Sequence, residues 1–278
     1  MRIGVQLPEV ERSPTWAEQA AIARAAEAGG LDSIWVGDHL LYTEVGGGVI
    51  GPLEAWTQLA ALAAVTERVT IGPLVACLAF HPPLVLAKMA ATVDDVSGGR
   101  LVFGVGAGWN DDEFRAAGLP TQRKVSRFEE AFTTVRRLLA GERDGEAFLA
   151  PAPPRRIPLM SGSTGPRALS IVLPHVDSWN TWWADYGNTP AGFAELNARI
   201  TAAAETAGRD PAEVERSACV LVTVDGGAGE RVADVPPVGH DALPDHLAAL
   251  ADAGADEAIL VLDPITQQSV ERVASVVR

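Results

Sequence analysis

The chain has 278 residues, of which 47% are hydrophobic and 21% charged, and its formal net charge at pH 7 is −14. This composition is typical of a globular protein and excludes a disordered or fibrous chain. An acidic chain without a basic run binds nucleic acid and anionic membranes poorly, so we expect neither as a partner. Its two cysteines, Cys77 and Cys219, are too few for a disulfide framework, and their spacing matches no metal-binding motif.

The distribution of apolar residues indicates a cytoplasmic protein. The longest apolar run, residues 74–80, is far shorter than the roughly 20 residues that a transmembrane helix needs. The chain opens on a strand-like run, residues 2–7, where a secretory protein would carry the apolar core of its signal peptide. We therefore expect no membrane partner and a cytoplasmic location.

Apolar residues alternate between the period of a strand and the period of a helix along the whole sequence. The predicted strands are residues 3–7, 33–37, 69–75, 101–105, 158–161, 176–180, 218–224 and 258–262. The predicted helices are residues 15–28, 52–66, 83–96, 124–140, 166–172, 191–207, 243–253 and 266–277. Together these segments make eight β/α units.

Eight β/α units within about 250 residues predict an α/β fold, the closed (β/α)8 TIM barrel. An open, doubly wound sheet is the alternative, because strand order cannot be read from one sequence. No segment rich in serine, proline or glycine divides the chain, so we expect one domain over residues 1–278. A barrel enzyme carries its chemistry on the loops that follow the carboxyl ends of the strands.

The predicted loops exclude several kinds of barrel enzyme. Both lysines, Lys88 and Lys124, fall within predicted helices, whereas a Schiff-base enzyme needs a lysine directed into the site. No cluster of histidines and carboxylates follows the first strand, so we expect no catalytic metal. A Gly-x-Ser-x-Gly motif is also absent, which argues against a serine hydrolase.

Asp38 and His39 follow the second predicted strand. A histidine at this position can exchange a proton near neutral pH, and the adjacent aspartate can tune or orient it. A histidine at the end of a strand is more often structural than catalytic. His39 is nevertheless the one histidine that lies directly at a predicted strand end, which favours the catalytic interpretation.

Two glycine-rich loops follow the fourth and fifth predicted strands. In the loop of Gly162, Ser163, Thr164 and Gly165, backbone amides at the start of a helix suit a phosphate, although the same residues also form ordinary helix caps. Residues 104–108 lack the spacing of the dinucleotide fingerprint. Their small side chains either let a flat ring lie against the backbone or reflect tight packing of the barrel.

Three tryptophans, Trp109, Trp182 and Trp183, fall at predicted strand ends. They would provide an aromatic wall for a flat or apolar ligand. Tryptophans also fill protein cores, but the presence of three of them at one end of the barrel favours a substrate pocket.

The central part of the sequence resembles the signature of the bacterial luciferase-like flavin oxidoreductase family. The resemblance is carried by residues 71–114, which read IGPLVACLAFHPPLVLAKMAATVDDVSGGRLVFGVGAGWNDDEF. Supporting matches lie at residues 25–39, 127–130, 157–165 and 176–180. The resemblance covers most of the chain, becomes weaker beyond residue 183, and implies the same (β/α)8 barrel.

Within this family the chain looks most like the branch that uses the deazaflavin coenzyme F420. Luciferase-type members carry an arginine for the phosphate of FMN in the fourth loop, where this chain has Ala107. The resemblance implies a non-prolyl cis peptide between Leu74 and Val75, with Asp38 and His39 at the reacting face. The implied cofactor-binding residues are Leu74, Val75, Gly106, Ala107, Gly108, Ser161, Gly162, Ser163, Thr164 and Gly165.

These features together predict an oxidoreductase that transfers a hydride between F420 and a small apolar or aromatic substrate, with His39 exchanging the accompanying proton. The sugar-phosphate dehydrogenases of the family carry a glutamate where this chain has Trp109, which argues against a sugar phosphate. The alternatives are an FMN-dependent monooxygenase that uses oxygen, a non-catalytic cofactor-binding protein, and a barrel that binds phosphate ligands but no flavin. Family members are often dimers, so the resemblance is compatible with a homodimer, and the acidic composition neither requires nor excludes one.

Two glycine-rich segments remain without an assigned role. Residues 42–51 follow the second strand and would form either a mobile lid or a passive connection. Residues 226–239 follow the seventh strand, and the sequence suggests no function for them.

Overall fold

The structure is a computed structural model that describes residues 1–9, 13–43, 48–231 and 234–277. Its strands are β1 (Arg2–Gln6), β2 (Ser33–Val36), β3 (Tyr42–Thr43), β4 (Val49–Ile50), β5 (Thr70–Pro73), β6 (Ala76–Cys77), β7 (Phe103–Gly106), β8 (Leu159–Ser161), β9 (Ser178–Thr181), β10 (Glu215–Thr223), β11 (Val238–Gly239) and β12 (Glu257–Asp263). Its α-helices are α1 (Trp16–Ala28), α2 (Ala55–Val65), α3 (Pro83–Ser97), α4 (Asp111–Ala116), α5 (Lys124–Leu139), α6 (Pro166–Val172), α7 (Pro190–Thr206), α8 (Leu243–Asp252) and α9 (Gln267–Val276). Short 3-10 helices span Trp183–Tyr186, Pro211–Glu213 and His240–Ala242.

The main sheet is a barrel of parallel strands. In the described residues, neighbouring strands follow the order β5, β2, β1, β12, β10, β9, β8, β7, β6. A parallel bridge joins Ile71 of β5 to Leu101, just before β7, and the backbone amide of Val102 donates to the carbonyl of Ile71 at 2.9 Å. The strand at one end of this order is thereby connected to the segment that leads into β7. The ring is therefore closed, which confirms the predicted TIM barrel and rules out the open sheet.

The third barrel strand is interrupted in its middle. β5 and β6 are its two halves, and the cis peptide between Leu74 and Val75 lies between them. The sequence pattern predicted one continuous strand here, because apolar residues run through the whole segment. β5 lies between β2 and the segment that leads into β7, and β6 pairs with β7 beyond the interruption.

Side chains at the helix starts explain where several helices begin. Thr15 accepts a hydrogen bond from the amide of Glu18 at the start of α1, and Thr266 accepts from Ser269 at the start of α9. Glu54 accepts from the amides of Trp56 and Thr57, so α2 begins at Ala55 rather than at the predicted residue 52. The helix α4 was not predicted, because its six residues are too few to show a helical period.

Arg100 joins three elements of the barrel wall. Its Nη1 donates to the carbonyl of Val69 at 2.7 Å, and its Nη2 donates to the carbonyls of Ala63 and Thr66 at 2.9 and 2.8 Å. Its Nε donates to the carbonyl of Ser97 at 2.8 Å. The guanidinium therefore satisfies carbonyls at the ends of α2 and α3 and just before β5.

Among the described residues, no helix is both long enough and apolar enough to cross a membrane. The small antiparallel pair of β3 and β4 occupies part of the predicted lid segment, and residues 44–47 of that segment lie outside the described residues.

We predict that the substitution Arg100→Ala lowers the free energy of unfolding by about 3 kcal/mol, because several buried carbonyls lose a charged donor. Urea denaturation followed by circular dichroism measures this change. The matched control is Arg24→Ala, which removes an exposed arginine on α1. Equal stability of the two variants would contradict the role assigned to Arg100.

Candidate active site

A cavity of about 530 Å³ opens at the carboxyl ends of the barrel strands. Because the strands are parallel, the residues that follow them meet at this one end. Eleven of the predicted site residues line the cavity: Asp38, His39, Leu74, Val75, Gly106, Ala107, Gly108, Trp109, Gly162, Ser163 and Trp182. The structure thus brings most of the predicted site together.

Val75 packs against three glycines on one wall of the cavity. A Cβ added at Gly106 would lie 2.7 Å from Cγ2 of Val75, and one added at Gly104 would lie 3.0 Å from its Cγ1. A Cβ added at Gly162 would lie 3.2 Å from both methyl groups. Tight packing around Val75 therefore requires glycine at these three positions, and the two that line the cavity, Gly106 and Gly162, present backbone to it. The cis peptide implied by the resemblance is confirmed at Leu74–Val75.

His39 is held by Glu113 rather than by Asp38. The Nδ1–H of His39 donates to the carboxylate of Glu113, at 3.1 and 3.0 Å from its two oxygens. The backbone amide of Leu40 donates to the same carboxylate at 2.6 Å, and the Glu113 side chain is only 2% exposed. Since Nδ1 is engaged, Nε2 is the nitrogen of His39 that can exchange a proton with a ligand.

Asp38 has a structural partner in the neighbouring strand. Its Oδ2 accepts a hydrogen bond of 2.9 Å from the backbone amide of Cys77 at the end of β6. Asp38 therefore fixes the end of the third barrel strand next to the cis peptide. Asp38 therefore does not orient His39 through a hydrogen bond, but its charge is one of those that raise the pKa of the imidazole, as expected of a residue that tunes it.

The surroundings raise the pKa values of both His39 and Asp38. Burial lowers the pKa of the His39 imidazole, but the hydrogen bond to Glu113 and the charges of nearby carboxylates outweigh burial and raise it. Burial raises the pKa of Asp38 to about 7, although the hydrogen bond from the Cys77 amide opposes this change. Asp38 can therefore gain or lose a proton near neutral pH, whereas the surroundings of His39 favour its protonated form.

Cys77 also lines the cavity but is not a nucleophile. Burial raises the pKa of its thiol to about 12, so the thiol remains protonated at neutral pH.

Aromatic rings surround His39 at the mouth of the cavity. Its ring centroid lies 4.5 Å from that of Tyr42 and 5.8 Å from that of Trp109. Trp109 is 70% exposed, which makes it a large apolar side chain at the rim with space beside it for a ligand.

Trp182 and Trp183 are adjacent in the sequence but differ in their position relative to the cavity. Their ring centroids are 3.7 Å apart, and Trp182 lines the cavity. Trp183 is buried in the core at the start of a 3-10 helix, so it supports Trp182 from behind and does not contact a ligand in the cavity. Its assignment to the substrate pocket is therefore corrected, and the reason is that this turn sends successive side chains in different directions.

The predicted phosphate loop only partly faces the cavity. Gly162 and Ser163 line it, whereas Thr164 and Gly165 lie beyond its lining. Ser161 is completely buried, and its hydroxyl accepts a hydrogen bond from the amide of Ser163 at 3.3 Å, so it shapes the loop rather than contacting the cavity.

Arg167, next to the predicted phosphate loop, bonds to other groups. It donates to Ser126 at 3.0 Å and to Glu129 at 3.3 Å, both on α5. The guanidinium that lies nearest this loop in sequence is therefore already paired with a carboxylate.

Lys124 lies closer to the rim than its helical position indicated. It is the first residue of α5, and its Nζ donates to the carbonyl of Trp109 at 2.8 Å and to Asp111 at 2.6 Å. Because this amine is engaged by two acceptors, it holds the fourth loop in place.

Sequence reasoning missed three charged residues of the site: Glu9, Glu113 and Arg231, all of which line the cavity. Glu113 belongs to α4, which Asn110 caps by accepting from the amide of Asp112. A capping residue followed by three acidic residues is a recognisable helix start, and this signal could have placed Glu113 on the first turn.

Arg231 comes from the segment to which the sequence assigned no function. The carboxylate of Asp263 accepts from the amides of Ala228, Gly229 and Glu230, at 3.1, 3.1 and 3.2 Å, and so shapes the loop that precedes Arg231. The guanidinium carbon of Arg231 lies 5.3 Å from the centroid of the Trp182 ring, and the guanidinium pairs with Glu9 at 3.6 Å. These contacts link residues that are far apart in the sequence, so no local sequence pattern predicts them.

The site therefore combines a backbone wall, a histidine with one nitrogen directed to ligands, and a buried guanidinium. Such a cavity suits a planar ligand placed against the wall and a second molecule near His39.

Comparison with known proteins places these features in a family. The model of the luciferase-like monooxygenase family matches residues 1–266. The pyrimidine monooxygenase RutA of Cronobacter sakazakii is 34% identical over 172 residues, which cover 57% of this chain and 50% of RutA. The match thus spans about half the length of this relative.

Solved structures share the fold over the whole chain. An F420-dependent secondary alcohol dehydrogenase, solved with an F420–acetone adduct, has a TM-score of 0.82 and 20% identity, covering 100% of this chain and 99% of its own. The monooxygenase RslO1 of Streptomyces bottropensis has a TM-score of 0.77 and 20% identity, covering 99% of this chain and 97% of its own.

We predict that Glu113→Gln lowers the pKa of His39, because the imidazolium loses the negative charge beside Nδ1 while an acceptor oxygen remains. Titration of the histidine ring signals by NMR measures this pKa. The control is Glu130→Gln, which removes an exposed carboxylate on α5. A pKa of His39 that is unchanged in Glu113→Gln would show that Glu113 does not set it.

The raised pKa of His39 also makes the stability of the folded protein depend on pH. A raised pKa in the folded state means that protonated His39 stabilises the fold at low pH, and that this contribution is lost as the pH rises through the folded pKa. In Glu113→Gln the stabilisation by protonated His39 is lost at lower pH than in the wild type. Denaturant titrations at a series of pH values measure the free energy of unfolding and show this difference.

Proposed function

The chain belongs to the luciferase-like monooxygenase family, an oxidoreductase family, and we propose that it is an F420-dependent oxidoreductase that acts on a small apolar or aromatic substrate. One observation carries the proposal: His39, held by Glu113, shares a cavity with the backbone wall around Val75. This arrangement provides a surface for a flat ring and a proton-exchanging group within one enclosed space.

The residues present fit a deazaflavin. Val75, Gly106, Ala107 and Gly108 would border its ring, because side chains at the two glycines would collide with their neighbours and the wall is therefore flat backbone. Gly162 and Ser163 would bind the phosphate through their amides, with Thr164 and Gly165 further along the tail. When bound, F420 supplies a carbon that accepts or donates a hydride.

The protein's own residues would position the substrate and exchange the proton. Nδ1 of His39 is fixed by Glu113, which orients the ring and leaves Nε2 to exchange a proton with the substrate oxygen or nitrogen. Trp109 and Trp182 would contact the apolar body of the substrate and exclude water from the reacting atoms.

Ala107 supports F420 over FMN. The arginine that luciferase-type members use for the phosphate of FMN would stand at this position, and the small side chain of Ala107 provides no charge there. With no charge at Ala107, the phosphate of either coenzyme would be bound only by backbone amides, those of Gly162 and Ser163 in the loop after β8.

An FMN-dependent monooxygenase is the second candidate. One observation favours it: RutA, at 34% identity, is named a pyrimidine monooxygenase. The two functions differ in oxygen use, because a monooxygenase consumes oxygen in proportion to its product whereas hydride transfer from F420 does not.

We predict that His39→Ala lowers kcat about 10²–10⁴-fold, since it removes the proton-exchanging group. The affinity for F420 should remain nearly unchanged, because the ring is held by the backbone wall. Steady-state assays with F420 absorbance as the signal, together with a binding titration by F420 fluorescence, separate the two effects.

The control for this experiment is His246→Ala, which removes a histidine on α8 outside the cavity lining. Turnover by His39→Ala at the wild-type rate would overturn the role of His39, whereas binding of F420 without any turnover by the wild-type protein would favour a non-catalytic binding protein.

We further predict that Gly106→Ala weakens the binding of F420 about tenfold, because overpacking against Val75 costs about 1–3 kcal/mol. The added Cβ would lie 2.7 Å from Cγ2 of Val75 and push this side chain toward the cavity. The double variant Val75→Ala and Gly106→Ala lacks the colliding methyl group, so it should recover most of the affinity. Failure of the double variant to recover it, while it remains folded, would contradict the packing argument.

A further inference from the structure

A second cavity, of about 710 Å³, lies at the opposite end of the barrel. It is formed beside the amino ends of β8 and β9, by the end of α5, the segment before β8 and the turns that follow α6 and α7. Four arginines and a histidine line it: Arg136, Arg155, Arg156, Arg209 and His175. This concentration of positive charge is unexpected in a chain with a net charge of −14.

Three of the four arginines pair with a carboxylate outside the cavity lining. Arg156 lies 2.6 Å from Asp177, Arg209 lies 2.8 Å from Glu213, and Arg155 lies 3.8 Å from Asp94. Within the described parts of the chain, the lining of this cavity includes no carboxylate.

Arg136 is the exception. Among the described residues no carboxylate pairs with it, and its Nε is buried without a hydrogen-bond acceptor. Arg136 is thus the one arginine of this lining whose charge no carboxylate of the described residues neutralises, and an anion in the cavity would provide that partner.

His175 reports the positive potential in this cavity. Burial lowers the pKa of its imidazole, and the charges of Arg136 and Arg209 lower it further. The charges of Arg136 and Arg209 therefore both act on the region of the cavity beside His175.

The rest of the lining is apolar and rigid. Leu139 and Ile157 contribute buried side chains, and Pro153 and Pro154 form a stiff wall beside the arginines. A ligand in this cavity would thus contact both guanidiniums and apolar side chains.

We propose that this cavity is a binding site for a small organic oxyanion, a molecule that carries a phosphate or carboxylate on an apolar body. Guanidiniums bind both groups through paired N–H donors, and the apolar wall adds affinity for the body of the ligand. The site is separate from the proposed cofactor site, because the two cavities open at opposite ends of the barrel strands.

NMR titration of the histidine rings tests the proposal, with phenyl phosphate and inorganic phosphate as probes. The chain has five histidines, and a His175→Asn variant identifies the signal of His175. Phenyl phosphate should raise the pKa of His175 in a saturable manner, because the anion offsets the charges of Arg136 and Arg209. Inorganic phosphate should bind several-fold more weakly, because it lacks the apolar body.

Matched variants separate this site from general ionic effects. Arg136→Gln should weaken the binding of phenyl phosphate at least about tenfold, which corresponds to about 1.4 kcal/mol, and Arg209→Gln should weaken it as well. Arg24→Gln, a change of the same charge on the exposed face of α1, should leave it unchanged. Unchanged signals of the other histidines show that each variant is folded.

The absence of a saturable response at His175, or equal affinities in Arg136→Gln and Arg24→Gln, would overturn the proposal. Equal affinities for phenyl phosphate and inorganic phosphate would contradict the proposed contribution of the apolar side chains to binding. A shift confined to His39 would place the anion in the other cavity and would likewise overturn it.

Discussion

The packing of Val75 against the glycines around it determines the shape of the active-site cavity. The cis peptide at Leu74–Val75 separates the two halves of the third barrel strand, and Asp38 fixes the far half through the amide of Cys77. With Val75 in this position, Gly106 and Gly162 have no room for a side chain. The wall of the cavity is therefore backbone, which is the surface that a planar ring needs, and the rest of the site is arranged around it.

The charge of Glu113 determines how His39 can exchange a proton in this cavity. Glu113 is almost completely buried, so its charge acts strongly on His39 and raises the pKa of the imidazole. Glu113 also accepts from the amide of Leu40, which fixes the chain on the far side of the histidine. Both the orientation and the proton affinity of His39 thus depend on one carboxylate, whereas the second charged pair, Glu9 and Arg231, adds polarity beside Trp182.

The barrel and most of the cavity could be predicted from the sequence, because strand and helix periods are local and parallel strands bring their carboxyl ends together. Asp38, His39 and Trp109 were found in this way. Glu113 and Arg231 were missed, since their places depend on a short helix and on a loop shaped by distant Asp263. Trp183 was misassigned because the direction of a side chain in a 3-10 turn is not encoded in residue type.

The most direct test of the account is a side-by-side titration of the purified protein with F420 and with FMN, each followed by its own fluorescence. The account predicts saturable binding of F420 at one site per chain and much weaker binding of FMN, because the backbone wall accepts the ring while Ala107 offers no charge for the phosphate of FMN. Tight binding of FMN with weak or absent binding of F420 would contradict it.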